Sequence, residues 1–461
     1  MTITPQTIGE GANAETVYPG DFVLIKEVGW AIKSVEWVPY AETLLFEGFE
    51  YNPLINPPYI SSFVNRPQIG IYADVDAYPQ ANQTLTNYTY ADIKVTIEGL
   101  IPPEGAYVML EKIDPPNDYL PDEFRSEGDN VNENFSWIDG SSLKFTWSTD
   151  QNPIMNTVLQ STVSVSTQPG NNYIIKASKG KADDPTPGSI FSPPPEIDPD
   201  EVDNYVLSDK TLTVWRRLWM ETDTVEGAGP LDDSLLKQEM KKACIVVMDL
   251  HYSSPPIVDV AMEAEGKKDA NGNFIRFSDG KIDYHHNILD LVSGSKDHVT
   301  PSPSSDFWYV HAISAKKLHM IDGEADVMTI TKDVFGNIID IVATSTQISN
   351  DYSVLGIRIP NNTVLVFNET IEDRAGEEHP NHTIVVNGVS SPYIYPDAGT
   401  IKRDTLLHEI VHMFGIGDNE NGSDSNIIYD IMCYTYNSKD GSKPVIAYEH
   451  VRKMQECTNP E

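Results

Sequence analysis

Apolar residues in the first part of the chain come in short alternating or continuous runs, at Asp21–Ile25, Ile93–Ile97, Tyr107–Leu110 and Asn172–Lys176. Clusters of Pro, Gly, Asn and Asp separate them at intervals of about ten residues, which predicts short strands joined by turns. Helical periodicity is nearly absent as far as Lys179. The pattern then changes. Thr211–Trp219 alternates as a long strand should, and Leu235, Leu236, Met240 and Cys244 recur at helical spacing, predicting a helix over Leu231–Asp249. Further strands are expected at Phe307–Val310, Met328–Thr331, Ile338–Val342 and Thr363–Phe367. A second helix is expected over Asp404–Phe414, with Asp404 as its N-cap.

These changes divide the chain. Residues 1–70 form a β-rich segment, either a small unit of its own or extra strands on the next one. Within residues 71–181, Val95–Leu100 and Thr162–Ser166, the latter just before Pro169–Tyr173, resemble paired strands of bacterial immunoglobulin-like modules, which implies a β-sandwich there. Residues 182–205 begin ADDPTPGSIFSPPPEIDPDEVDN, a Pro- and Asp-dense composition that favours an extended linker. Residues 206–461 mix helices with strands. The expected architecture is therefore multidomain, an all-β N-terminal half followed by a C-terminal α+β domain.

Composition narrows the function classes. Over 461 residues, 69 Asp and Glu stand against 32 Lys and Arg, a formal net charge of −37. Such a surface repels phosphate backbones and anionic lipid, so nucleic acid is not the expected partner. No stretch approaches the roughly 18 consecutive apolar residues that a membrane-crossing helix requires, so no membrane insertion is expected. The first residues lack the basic and apolar regions of a signal peptide. Three cysteines, Cys244, Cys433 and Cys457, are too few for a disulfide framework. Cys433 and Cys457 are compatible with either a disulfide or a reduced pair. Any metal chemistry must rest on His and carboxylates.

One stretch carries such chemistry, Arg403–Asp418, which reads RDTLLHEIVHMFGIGD. His408 and His412 stand four apart, so on a helix both face one metal ion, and neutral imidazole suits Zn2+. Glu409 projects from the neighbouring face, where its carboxylate can take a proton from zinc-bound water. Leu407, Ile410, Val411 and Phe414 would anchor the other side in a core. Gly415 can end the helix in a left-handed conformation, letting the chain double back and bring Asp418 in as a third ligand. An HExxH alone recurs by chance on surface helices; HExxHxxGxxD is far more specific.

Here the chain resembles the metzincin clan of zinc metallopeptidases, in the minority Asp form of the long motif found in snapalysin-like enzymes. The matching positions are His408, Glu409, His412, Gly415 and Asp418. A second mark, Asp430–Tyr434, looks like the Met-turn, and the resemblance implies that Met432 forms a hydrophobic base under the histidines. It further implies that Tyr434 binds zinc or stabilises the oxyanion; an ordinary half-buried tyrosine is the competing reading. Glu449 offers a competing third ligand from a later helix, but Gly415 and Met432 have a purpose only with Asp418. The resemblance implies a zinc-dependent endopeptidase acting on polypeptides, with Glu409 as the catalytic base, and an extracellular or exported location.

Several alternatives remain beside it. The β-rich half is also readable as a module that binds a surface or a particle, with the zinc site inactive or structural. The acidic loop Asp418–Asp424 offers oxygen ligands for Ca2+, yet meets no EF-hand pattern and reads better as a solvated loop. The other histidines, His251, His285, His286, His298, His311, His319, His379, His382 and His450, show no ligand spacing.

Overall fold

The computed structural model describes residues 6–8, 15–17, 30–38, 44–52, 59–72, 89–99, 107–113, 142–143, 157–165, 170–180, 205–208, 211–250, 257, 262–278, 282–286, 308–321, 323–335, 338–349, 352–359, 362–418, 431–432, 446, 450–451, 453–454, 457 and 460. The protein is mostly β. Its N-terminal strands are β1 (Gln6–Ile8), β2 (Glu15–Val17), β3 (Trp30–Val38), β4 (Leu44–Asn52), β5 (Tyr59–Tyr72), β6 (Thr89–Gly99), β7 (Tyr107–Ile113), β8 (Ser142–Leu143), β9 (Thr157–Val165) and β10 (Gly170–Gly180). β6 is the centre of a three-stranded antiparallel sheet, flanked by β3 and β9. Ile32, Val35, Trp37, Ile93, Val95 and Ile97 are buried there, the period-2 pattern of a sheet with one face in a core, broken once in β3 where the register shifts between Ile32 and Ser34. The run around Val95 thus pairs with the strand containing Thr162, as the sequence suggests. The expected strand at Asp21–Ile25 and the Pro/Asp-rich stretch 182–204 lie outside the described residues.

After β11 (Tyr205–Leu207), which pairs back onto β10, the long strand β12 (Thr211–Thr224) takes part in two sets of pairings. Its first residues, Thr211–Trp215, lie parallel to β5, and β10 pairs with the same stretch. Its remainder lies second in a sheet ordered β13 (Ile245–Leu250), β12, β16 (Trp308–Ala315), β22 (Thr363–Phe367) and β21 (Gly356–Ile359). All neighbours are parallel except β21, which is antiparallel and, among the described residues, the edge strand. Every residue of β16 and β22 is buried, because a parallel sheet is covered on both faces.

The two faces carry different elements. Leu218, Met220, Trp308, Val310, Ala312, Val364 and Val366 turn toward α1 (Ser234–Met240) and α3 (Ala398–His412), forming the main core with Leu235, Leu236, Met240, Leu407, Ile410 and Val411. On the opposite face, Ile313, Ala315, Leu365 and Phe367 meet Met262, Ala264, Leu318 and Met320. The latter four come from β14 (Met262–Gly266) and β17 (Leu318–Ile321), in a small sheet with β15 (Tyr284–His286) and β20 (Tyr352–Ser353). A further sheet, ordered β19 (Ile338–Ser349), β18 (Gly323–Lys332), β23 (Glu378–Val386) and β24 (Val389–Ile394), reaches the main core through Ile330 and Tyr393. α2 (Asn368–Arg374) links β22 to β23. Among the described residues, no helix is long and apolar enough to cross a membrane.

Two expected helices differ from the observed ones. The helix over Leu231–Asp249 ends at Met240, followed by a short 3-10 turn at Lys241–Ala243. Cys244 is left-handed, with φ of 57°, and Ile245–Leu250 continues as β13. The helical spacing of the apolar residues was real as far as Met240, but the β-branched run Ile245–Val247 suits a buried strand. The second helix begins at Ala398 rather than near Asp404. Its N-cap is Asp397, whose side chain accepts from the Thr400 N–H, whereas Asp404 is a buried interior residue.

Candidate metal centre

α3 is held against the sheet by Ile401, Leu406, Leu407, Ile410 and Val411, all fully buried. Each such side chain contributes about 2 kcal/mol on burial, far more than the few tenths that separate helix propensities. Packing therefore fixes the rotation of the helix, and with it the direction of His408 and His412. Their rings meet edge to face, with centroids 4.6 Å apart.

The end of α3 turns as the glycine predicts. The N–H groups of Met413, Phe414 and Gly415 bond to carbonyls three residues back, tightening the last turn. Gly415 is left-handed, with φ of 71°. Phe414 packs edge to face on Trp308, which is itself stacked by the Arg216 guanidinium. The chain then doubles back and brings Asp418 over the histidines.

Three ligand atoms converge. His408 Nε2 and His412 Nε2 are 3.0 Å apart, and Asp418 Oδ1 lies 3.2 Å from the first and 3.1 Å from the second. The other ring nitrogens are committed: His408 Nδ1 is 2.9 Å from the Ile431 carbonyl, and His412 Nδ1 is 2.8 Å from the Ile416 carbonyl. A carbonyl only accepts, so both Nδ1 atoms carry the proton and both neutral rings present an Nε2 lone pair. Two lone pairs and a carboxylate oxygen facing one another at this distance repel unless a cation joins them. Tetrahedral bonds of about 2.05 Å to zinc would place ligands about 3.3 Å apart, close to what is observed. Among the described residues the donor set has three members, two imidazoles and one carboxylate, a set that fits Zn2+. His408 and His412 retain 13% and 18% of their side-chain exposure, so this centre is reachable from outside.

Electrostatics agree with the geometry. Burial pushes the His408 pKa down, but the facing Asp418 and neighbouring Glu409 outweigh it and raise it to about 9. Burial pushes Asp418 up, and the two imidazoles overcome this to hold its carboxyl far below the usual range. A negative potential strong enough to retain a proton on an imidazole also favours a dication. Glu409 is buried, and burial raises its pKa.

Glu409 has two neighbours that sequence reasoning missed. The Arg358 N–H of β21 donates to its carboxylate. A Cβ on Gly356, also in β21, would lie 2.5 Å from Thr405 Cγ2 and 2.9 Å from Glu409 Cγ and Oε1, so the strand approaches α3 only because residue 356 is glycine. Nothing local marks these residues; they lie about fifty positions upstream of the motif and meet it through the pairing of β21 with β22.

Met432 is fully buried in the main core, and the carbonyl of its neighbour Ile431 receives the His408 bond, so this segment passes directly beside the ligands. Tyr434, Glu449, Cys433 and the acidic stretch Asn419–Asp424 lie outside the described residues. No protein-family model matches the chain, and no curated protein matches it.

Proposed function

We propose that the protein is a zinc-dependent endopeptidase of metzincin type, with His408, His412 and Asp418 as ligands and Glu409 as general base. The observation that carries this reading is the convergence of two Nε2 lone pairs and Asp418 Oδ1 within 3.0–3.2 Å of one another, beside a buried carboxylate. Bound zinc would supply Lewis acidity, polarising the scissile carbonyl and making water more acidic.

The chain's own groups do the rest. Glu409 takes the proton of the attacking water and passes it to the leaving amine. The Arg358 N–H holds the carboxylate in place for both transfers. β21 is an edge strand beside α3, and an extended polypeptide can add to such an edge through main-chain hydrogen bonds. That favours peptide over small-molecule substrates. Met432 supports the ligands from below, and Tyr434, through the resemblance of its motif, assists at the oxyanion. The β-rich N-terminal half serves to dock the enzyme on a surface or particle, and the site of action is extracellular.

Glu409→Gln is the decisive variant. It should retain about one zinc per chain and lose most peptide hydrolysis, a fall on the order of 100-fold or more. Elemental analysis beside a peptide-library cleavage assay measures both, and an active Gln variant would overturn the proposal.

A further inference from the structure

A second group of potential ligands lies on the face of the central sheet turned away from α3. Residues of β12 alternate between the faces. Leu218 and Met220 point into the main core, whereas Glu221 and Asp223 point to the other side. On β16, His311 is the direct register partner of Glu221, so the imidazole and that carboxylate are neighbours across one ladder rung. Asp223 follows two residues later on the same face, with Oδ2 2.8 Å from His311 Nε2. One donor atom from each of the three lies within 4.8 Å of the others.

We propose that Glu221, Asp223 and His311 bind a second divalent transition-metal cation, which clamps β12 to β16. The first argument is burial. Exposures are 1% for Glu221, 8% for Asp223 and 0% for His311. All three donor groups are therefore held away from bulk water, preorganised on one face of the sheet. A dication balances both carboxylates and leaves the ring neutral.

The second argument is the surrounding hydrogen bonding. Tyr309 Oη donates to Glu221 Oε2, the kind of outer partner that fixes a ligating carboxylate. Among the described residues, the buried Nδ1 of His311 has no hydrogen-bond partner, so they leave this imidazole half used. One imidazole with two carboxylates suits Zn2+ or Mn2+, being harder than the thiolate sets that take Cu(I) and softer than the all-oxygen sets of Ca2+ and Mg2+. This site is distinct from the His408 centre and does not depend on peptidase activity.

The test is metal content of the full chain after saturation with Zn2+ or Mn2+ and exhaustive dialysis into metal-free buffer. Wild type should hold two ions per chain, and Asp418→Ala and Asp223→Asn one each, with Asp223→Asn keeping the ion at His408 and His412. Its thermal midpoint should fall by several degrees, and excess metal should raise that of Asp418→Ala. One ion in wild type that vanishes in Asp418→Ala overturns the second site and spares the peptidase reading. One ion that vanishes only in Asp223→Asn does the reverse. If Asp223→Asn does not fold, Asp418→Ala decides: one retained ion there upholds the proposal, and none overturns it. Two ions that both persist in a folded Asp223→Asn also overturn it.

Discussion

At the residue scale, the candidate centre was legible where its chemistry is local. His408, Glu409, His412, Gly415 and Asp418 lie within eleven positions, and helix geometry together with one left-handed glycine brings them together as the spacing implies. Gly356 was not legible, since its role exists only once β21 lies against α3. That contact supplies a sharp prediction. Gly356→Ala inserts a methyl where Thr405 and Glu409 already stand, and the nearest gap of 2.5 Å forces the strand or the carboxylate to move. Overpacking of this kind costs about 1–3 kcal/mol. Displacing a catalytic base by a fraction of an ångström lowers turnover by up to about 100-fold. Under the proposed peptidase function, the expected result is a kcat decrease with KM and zinc content little changed. A variant with unaltered kcat would show that Gly356 does not set the position of Glu409.

At the element scale, the sequence placed α3 correctly in the chain but began it too late. Asp404 looks like a cap because it precedes the apolar run Leu406–Leu407, yet the helix already starts at Ala398. Between Asp397 and Asp404 only Ala398 and Ile401 are apolar, too few to mark a stripe in the sequence although both pack on the main core. The true cap, Asp397, accepts from both the Thr400 N–H at 3.0 Å and the Thr400 hydroxyl at 2.7 Å. Asp397→Ala should therefore destabilise the protein by about 1 kcal/mol at neutral pH, measured by denaturant unfolding. The same bonds to Thr400 hold the Asp397 carboxyl below its ordinary pKa. A depressed carboxyl stabilises the fold above its unfolded pKa of about 3.9, and that stabilisation disappears as pH falls through the lower folded value. The difference between wild type and Asp397→Ala should then shrink below about pH 4, and a difference that grows on acidification would contradict the cap.

At the scale of the whole molecule, composition separates what strand pairing joins. The Pro/Asp-rich stretch reads as a spacer between two halves, yet β11 returns to β10 beyond it, and Thr211–Trp215 of β12 lies against β5 and β10. The same strand continues into the sheet that carries the candidate centre, between β13 and β16. Hydrophobic periodicity predicts that β12 exists; it says nothing about which strands, far apart in sequence, flank each end of it. The pairing has a consequence for folding. A chain beginning at residue 206 would leave the first five residues of β12 without β5 and β10, exposing a strand edge of the kind that templates aggregation. Such a chain should be less soluble and unfold at lower temperature than the full protein, while the full protein should show a joint transition for its N-terminal sheets and the metal-centre core. Calorimetry of both chains measures this. Two well-separated transitions in the full protein, together with a soluble and equally stable chain from residue 206, would mean that the pairing across β12 contributes nothing to stability.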